Sequence, residues 1–497
     1  MSSMDRPASP LSARAASVAR CTAWVTRALR PPVRRRGEDE PSILSPLRQL
    51  NALKATHRCM QRKVALKSSQ AVIRAGEGGA VEVVVVGAGP AGATLAMLLA
   101  RHGVRTRLLE RETSSDGVFR GEGLMPLGLD ALGQMGLGPL LAEIPGRLVE
   151  TWRIFIDGDE VFTIPEPVAQ IGERAFRVAS PAALLEGVIE QARTTPAFTY
   201  HPATRFADVM RDTTGRVAGV RAQQGNAAVE WPADLVVGCD GRGSSVRTRG
   251  GLTLTQAGEA YDVLWFKLPA PPSLRERCDF HIMVRRGRHP LIAYTSWDDL
   301  LQCGLIMPKG GMAEFRGDGW LDAAVQSAPG WLAEHILGSR DQVVGPIRLN
   351  VMVGSAPSWS APGVLLLGDA AHPMSPVRAQ GINLAFRDVI VAANHLVPLA
   401  GGPAAPAAID AACRAIQAER EVEVLRAQKL QRREARGQGD ARSGSRRYGM
   451  AKTGARLLGR YGWARRAWLQ RQHDLRFGST TVRLRPRAPA TSRSPSG

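Results

Sequence analysis

The chain has 497 residues, 44% hydrophobic and 22% charged, the composition of a soluble globular protein with room for about three domains. The net charge of +20 lies at the ends: residues 1–80 carry 15 Lys/Arg against 5 Asp/Glu, and residues 431–497 carry 17 against 3. Of 65 basic and 45 acidic residues the middle keeps 33 and 37, so the body is mildly acidic and argues against binding nucleic acid.

Six cysteines (Cys21, Cys59, Cys239, Cys278, Cys303, Cys413) are scattered without a CxxC pair or a histidine cluster, which suggests neither metal site nor disulfide framework and fits a reducing cytoplasm. No apolar run is long enough to span a bilayer. At the N-terminus, Ser12 to Arg30 is rich in Arg, Ala and Ser and free of acids. A transit peptide, a disordered basic arm and a true start further down all share that pattern.

The most informative stretch is Val81 to Glu110, VEVVVVGAGPAGATLAMLLARHGVRTRLLE. A β-branched apolar run reads as a strand buried on both faces. Gly87-Ala88-Gly89-Pro90-Ala91-Gly92 follows, then a helix ending at Gly103, then a second strand closing on Glu110 and Arg111. Gly87 permits the tight turn, Gly89 lets the backbone approach a pyrophosphate, and Gly92 lets the helix pack closely. Glu110 stands where an acid accepts hydrogen bonds from a ribose hydroxyl.

Further along, Arg120 fits either a pyrophosphate contact or a surface salt bridge. Thr151 to Ile164 alternates around Asp157-Gly158-Asp159 and reads as a hairpin, and Arg177 precedes a helix over 181–193 with Ser180 as its N-cap. The run ending in Cys239-Asp240-Gly241 places an aspartate at the carboxyl end of a strand, where open α/β sheets bind ligands. Residues 256–345 carry strand-like runs between Pro- and Gly-containing turns, with Trp265, Phe266, Phe280, Tyr294 and Trp297 as either core or pocket lining. A last buried strand runs into Gly368-Asp369-Ala370-Ala371-His372-Pro373-Met374-Ser375-Pro376, and a helix starts near Gly381-Ile382-Asn383. Residues 407–436 read as a helix with charges at helical spacing. The basic, aromatic stretch Tyr461 to Leu469 is either a surface helix or a lipid-interface segment.

With these motifs in order, the chain resembles the class A flavoprotein monooxygenases, the para-hydroxybenzoate hydroxylase-like superfamily that includes ubiquinone-biosynthesis and polyketide aromatic hydroxylases. The resemblance covers roughly 81–430. It implies an α/β fold in which 81–150, 171–255 and 346–400 form a discontinuous Rossmann-like FAD-binding domain. An inserted, mostly antiparallel β-sheet domain for substrate comes from 151–170 and 256–345. A helix over 401–436 packs on the FAD domain, a basic tail over 437–497 is partly helical and then disordered, and a basic, disordered extension occupies 1–80.

The resemblance implies FAD, with NAD(P)H as co-substrate and oxygen transferred through a flavin hydroperoxide to an apolar or aromatic small molecule. The cofactor would contact Gly87, Gly89, Pro90, Ala91, Gly92, Glu110, Arg111, Arg120, Arg177, Asp240, Gly241, Gly368, Asp369, Pro376, Gly381, Ile382 and Asn383. The flavin performs the chemistry, so no protein acid or base is assigned. Pro376, Arg378 and Gly381 would lie near the ring, and His372 reads as structural. Where the family has a glycine-rich segment, this chain has Arg378-Ala379, so Arg378 is expected to compensate charge on the reduced ring. An isoprenoid-type reductase and a halogenase share the resemblance, although the WxWxIP segment of halogenases is not matched at Trp265-Phe266-Lys267-Leu268-Pro269. Weak membrane-surface contact through the C-terminal tail is a further expectation, and neither a metal nor a nucleic-acid partner is expected.

Overall fold

The computed structural model describes residues 81–114, 122–258, 261–402, 404–443, 446–459 and 461–485. The extension over 1–80, Arg120 and the last residues of the tail lie outside the described residues. The valine run forms β1 (Glu82–Val86), an interior strand of a six-stranded sheet. β2 (Arg105–Leu109) and then β3 (Phe198–His201) lie on one side of it, all parallel. On the other side come β4 (Leu235–Gly238), β5 (Val364–Leu366) and a short antiparallel edge, Ser360–Ala361. β1, β4 and β5 are buried on both faces, which is why they read as unbroken apolar runs rather than alternating ones.

Helix α1 (Pro90–Arg101) follows β1 and buries every residue from Ala91 to Ala100. It packs between α2 (Pro181–Arg193) and α3 (Gln380–Leu396). The Ala183 N–H donates to Ser180 Oγ at 3.3 Å, so Ser180 is the N-cap of α2.

A seven-stranded sheet stands beside this layer, in the order Val344–Leu349, Tyr261–Pro269, Leu300–Pro308, Leu291–Thr295, Asp279–Val284, Thr151–Ile156, Asp159–Pro165. All neighbours are antiparallel except Asp279–Val284 with Thr151–Ile156. The edge strand Val344–Leu349 pairs Val344 with Lys267 and Leu349 with Val263, and so runs past residue 345. The 151–165 hairpin turns through Asp157 (φ 53°) and Gly158 (φ 90°), two left-handed residues in succession, whose twist matches that of the flanking strands. A separate three-stranded antiparallel sheet, Thr204–Arg211, Val217–Gln224 and Ala227–Pro232, lies within the stretch assigned from sequence to the nucleotide layer.

Helix α4 (Pro406–Ser443) packs along α3 through buried charge. Asp388, fully buried on α3, accepts from the Gly368 N–H (3.2 Å) and Arg420 Nε (2.8 Å), and its Oδ2 lies 2.7 Å from His372 Nε2. Arg420 continues to Glu423, which also takes a two-pronged pair from Arg387 at 2.9 Å each. Burial by itself would raise the Asp388 carboxyl, but His372 and Arg420 outweigh it and hold it below the usual range; Arg420 and Arg387 do the same for Glu423. Among the described residues, no helix is long and apolar enough to cross a membrane.

Removing one partner of such a cluster leaves the others charged in a dry interior. Asp388→Asn should therefore cost about 3–5 kcal/mol in denaturant unfolding; a loss under about 1 kcal/mol would show that the cluster is dispensable. Both carboxyls have lowered folded values, so their contribution is complete above about pH 4 and lost as pH falls through those values. The wild type should accordingly lose more stability below pH 4 than Asp388→Asn does.

Candidate active site

The carboxyl ends of β1, β4 and β5 converge on one crevice. Gly87 leaves β1 at φ 99°, and a Cβ there would lie 2.6 Å from the Cys239 carbonyl oxygen at the end of β4. A Cβ on Gly92 would lie 1.9 Å from the Gly87 oxygen, so α1 presses onto the turn it leaves. A Cβ on Gly89 would meet nothing within 4 Å: it would project into the crevice itself. Gly89 is the N-cap of α1 and Pro90 opens the helix, with no side-chain cap, so first-turn N–H groups face that open space.

Glu110 ends β2 beside this turn. Its carboxylate accepts from the Ala88 N–H at 2.8 Å and the Glu112 N–H at 2.9 Å, which ties the glycine loop to the neighbouring strand. Arg111 is exposed and pairs with Glu112. At the end of β4, Asp240 accepts from Ser244 Oγ (2.5 Å) and the N–H groups of Ser245 (2.7 Å) and Val246 (3.1 Å). It thereby shapes the Gly241 turn (φ 82°). After β5, Gly368 (φ 57°) packs so that a Cβ would lie 3.3 Å from Ala91, bringing this turn against α1. Asp369 pairs with Arg242 at 3.2 Å, and a Cβ on Gly381 would lie 3.5 Å from Asp369 Oδ1. Four segments far apart in sequence thus meet at one place.

Arg242 was missed from the sequence, although it directly follows Asp240-Gly241. So was buried Arg247, which donates to the carbonyls of Ala370 (2.7 Å) and Arg242 (2.8 Å) and locks the two strand-end turns together. Arg177 is half-buried on the strand paired to Gly123–Leu124. It donates to the Leu141 carbonyl at 3.1 Å, and its buried Nε has no hydrogen-bond partner. Burial lowers the proton affinity of its guanidinium, against the pull of Glu173. An open cradle at Gly89 and an uncapped helix start fit the phosphates of an extended dinucleotide such as FAD.

The turn before α3 differs from expectation. Pro376 leads into Arg378 (φ 59°) and Ala379 (φ 50°), both left-handed without being glycine, at about 1–2 kcal/mol each. The backbone shape is therefore kept although the glycines are not. The Arg378 guanidinium lies 4.8 Å from the Trp152 ring and 4.8 Å from the Trp468 ring, and its Nε donates to Glu434 at 2.9 Å. The guanidinium is thus engaged by Glu434 and bracketed by two indole rings. Asn383 also serves the fold. It accepts from the Met125 N–H (2.9 Å) and donates to the carbonyls of Gly123 (3.0 Å) and Ala379 (2.6 Å), while Ile382 packs on the core. α3 has no side-chain cap at its start. His372 is buried on Asp388 and against Trp359, in a structural position.

Between the crevice and the seven-stranded sheet lies a second buried cluster without a signature in sequence spacing. Lys267 Nζ approaches Glu122 (3.1 Å), Asp298 (2.7 Å) and Ser296 Oγ (3.0 Å). Ser296 Oγ donates to Glu122 at 2.7 Å and Tyr294 Oη donates to it at 3.4 Å. Burial pushes the Glu122 carboxyl up, against the pull of Lys267 and Ser296. Above it, Tyr294 stacks on Phe280 (5.1 Å, 11°), Phe280 meets Trp152 (4.8 Å), and Trp152 stacks on Phe176 (5.2 Å, 18°).

Comparison with known proteins agrees with this geometry. A model of the FAD binding domain matches residues 80–423. The chain is 37% identical over 327 residues to 6-methylpretetramide 4-monooxygenase of Streptomyces rimosus, covering 64% of this chain and 75% of that protein. It is 31% identical to kynurenine 3-monooxygenase of Salinispora arenicola, covering 66% of this chain and 75% of the relative. In fold it resembles p-nitrophenol 4-monooxygenase from Pseudomonas putida, with a TM-score of 0.65 at 19% identity over 81% of this chain and 99% of the other.

The glycines separate two kinds of damage. Gly89→Val should leave the melting temperature of the flavin-free protein within a few degrees of wild type, while flavin absorbance per chain falls at least about tenfold. Gly92→Ala should lower the flavin-free melting temperature as well, because its Cβ meets backbone. Full flavin content in Gly89→Val would remove the cradle from the site.

Proposed function

Because the chain belongs to the FAD-binding family of class A flavoprotein monooxygenases, an NAD(P)H-dependent group, we propose that it hydroxylates an aromatic small molecule bound between the nucleotide layer and the seven-stranded sheet. The observation that carries the substrate class is the wall of stacked rings, Tyr294, Phe280, Trp152 and Phe176, beside the turn that opens α3. A Cβ on Gly123 would lie 3.3 Å from Phe176 and 3.0 Å from the Ala379 Cβ, so the wall adjoins the turn where the ring end of a cofactor would lie. The names of relatives support the reading: one acts on 6-methylpretetramide, and PqsL of Pseudomonas aeruginosa was solved with 2-aminobenzoylacetate.

Bound FAD would accept a hydride from NAD(P)H and activate O2. The chain supplies binding and orientation. Gly87, Gly89, Gly92 and the α1 N-terminus would hold the pyrophosphate, Glu110 the adenosine ribose, and Asp369 with Arg242 the connecting chain. With Arg378 engaged by Glu434, stabilising negative charge at the ring falls to the uncapped start of α3. The Glu122–Lys267–Ser296 cluster fixes Tyr294 and with it the ring wall. The buried free thiols Cys278, Cys303 and Cys413 suit a reducing cytoplasm.

The purified protein should be yellow. NAD(P)H oxidation and O2 uptake should be stimulated by polycyclic or monocyclic phenols and not by polyprenyl compounds. Phe280→Ala should lower kcat/KM for the responding aromatic about tenfold or more with flavin content unchanged. Stimulation by polyprenyl compounds alone, without net oxygen incorporation, would overturn the reading in favour of an isoprenoid reductase.

A further inference from the structure

Helix α5 (Arg446–Leu458) is attached to the body by its polar side. Tyr448 donates to Asp157 at 2.7 Å, Lys452 pairs with the same carboxylate, and Arg456 pairs with Asp159. At the end of this helix a Cβ on Gly459 would lie 2.0 Å from the Val161 carbonyl oxygen, so backbone packs on backbone. Residues 448, 452 and 459 share one face at helical spacing. On the opposite side three apolar residues point outward: Met450 is 69% exposed, Leu457 56% and Leu458 40%.

The chain then turns into α6 (Gly462–Arg471), where Trp463 is 54% exposed and stacks with Tyr461 at 6.5 Å. One turn later Trp468 and Leu469 face inward onto the core, with Trp468 against Trp152. A surface helix ordinarily buries its apolar stripe and leaves its charges in water. This elbow leaves part of its apolar surface in water, and it is built from a segment, Arg446 to His473, with eight basic residues and no acidic one.

We propose that this elbow is a docking surface for an anionic lipid leaflet, with Met450, Leu457, Leu458 and Trp463 at the acyl boundary and Arg466 and Arg471 at the headgroups. Exposed apolar and aromatic side chains framed by arginine suit the interfacial region, where rings sit at headgroup level and each basic residue near the surface adds attraction to anionic lipid. The absence of acidic residues disfavours a second copy of the chain as occupant, because two such faces would repel. Docking here would seat the protein with the helix that covers the Trp152 ring wall next to the lipid.

The test is flotation of the full-length protein with vesicles of phosphatidylcholine alone or mixed with phosphatidylglycerol. Wild type should float with the anionic vesicles, several-fold less at high salt, and should stay behind with phosphatidylcholine. The Leu457→Ser, Trp463→Ser double variant should lose binding about tenfold while flavin content and basal NAD(P)H oxidation stay at wild-type levels. Arg466→Glu with Arg471→Glu should lower binding by a similar factor. Failure of the wild type to float, or undiminished flotation of the double variant (which would assign lipid binding to another basic segment), would overturn the proposal. A concentration-dependent dimer in sedimentation, abolished by the double variant, would overturn it in favour of self-association.

Discussion

Asp388 is the point on which the rest of the structure turns. One buried carboxylate holds the Gly368 backbone, the His372 ring and the Arg420 guanidinium, so the turn after β5, the middle of α3 and the long helix α4 share a single charged centre. Arg420 passes the linkage to Glu423, and Glu423 to Arg387 and the Ser479 N–H (3.0 Å), which brings in the C-terminal segment. Two carboxylates face two guanidiniums in a dry interior, and these paired charges hold both carboxyls below the usual range. Asp369 needs this centre: it stands one residue beyond the held Gly368 nitrogen and can face the crevice only while that turn stays in place.

The crevice itself is made by backbone. Gly87 and Gly92 are required because backbone meets backbone within the radius of a methyl group, whereas a Cβ on Gly89 would meet only open space. The turn before α3 reaches a comparable shape by a different route. Arg378 and Ala379 hold left-handed conformations that side chains disfavour, and the surroundings compensate: Trp152 and Trp468 bracket the guanidinium, Glu434 neutralises it, and Asn383 holds the Ala379 carbonyl. The C-terminal helices therefore take part in shaping the site.

The basic C-terminal stretch divides its roles by face. Arg476 forms a buried pair with Glu166, and Leu475 and Val482 sit in the core, so this end of the described chain is structural to its last turns. Met450, Leu457, Leu458 and Trp463 of the elbow are exposed instead, as are Arg466 and Arg471. Net charge alone would assign both sets to one function, and only their direction separates them.

The nucleotide layer was legible because a doubly buried strand, a glycine turn and a helix are local events whose signals lie within some thirty adjacent residues. The Ser180 cap and the Asp157-Gly158 turn were legible for the same reason. The role of Arg378 was not: its partners, Trp152, Glu434 and Trp468, lie in segments separated by hundreds of residues or by a whole helix, and nothing in its neighbours announces them. The Glu122–Lys267 cluster, Asp388 with Arg420 and the outward apolar face of the elbow share that property. Sequence by itself determined the glycine turn after β1 and where its flanking strands and helix lie. Tertiary structure alone decided which charges meet and which faces stay in water, because burial and pairing depend on distances through space that chain spacing does not encode.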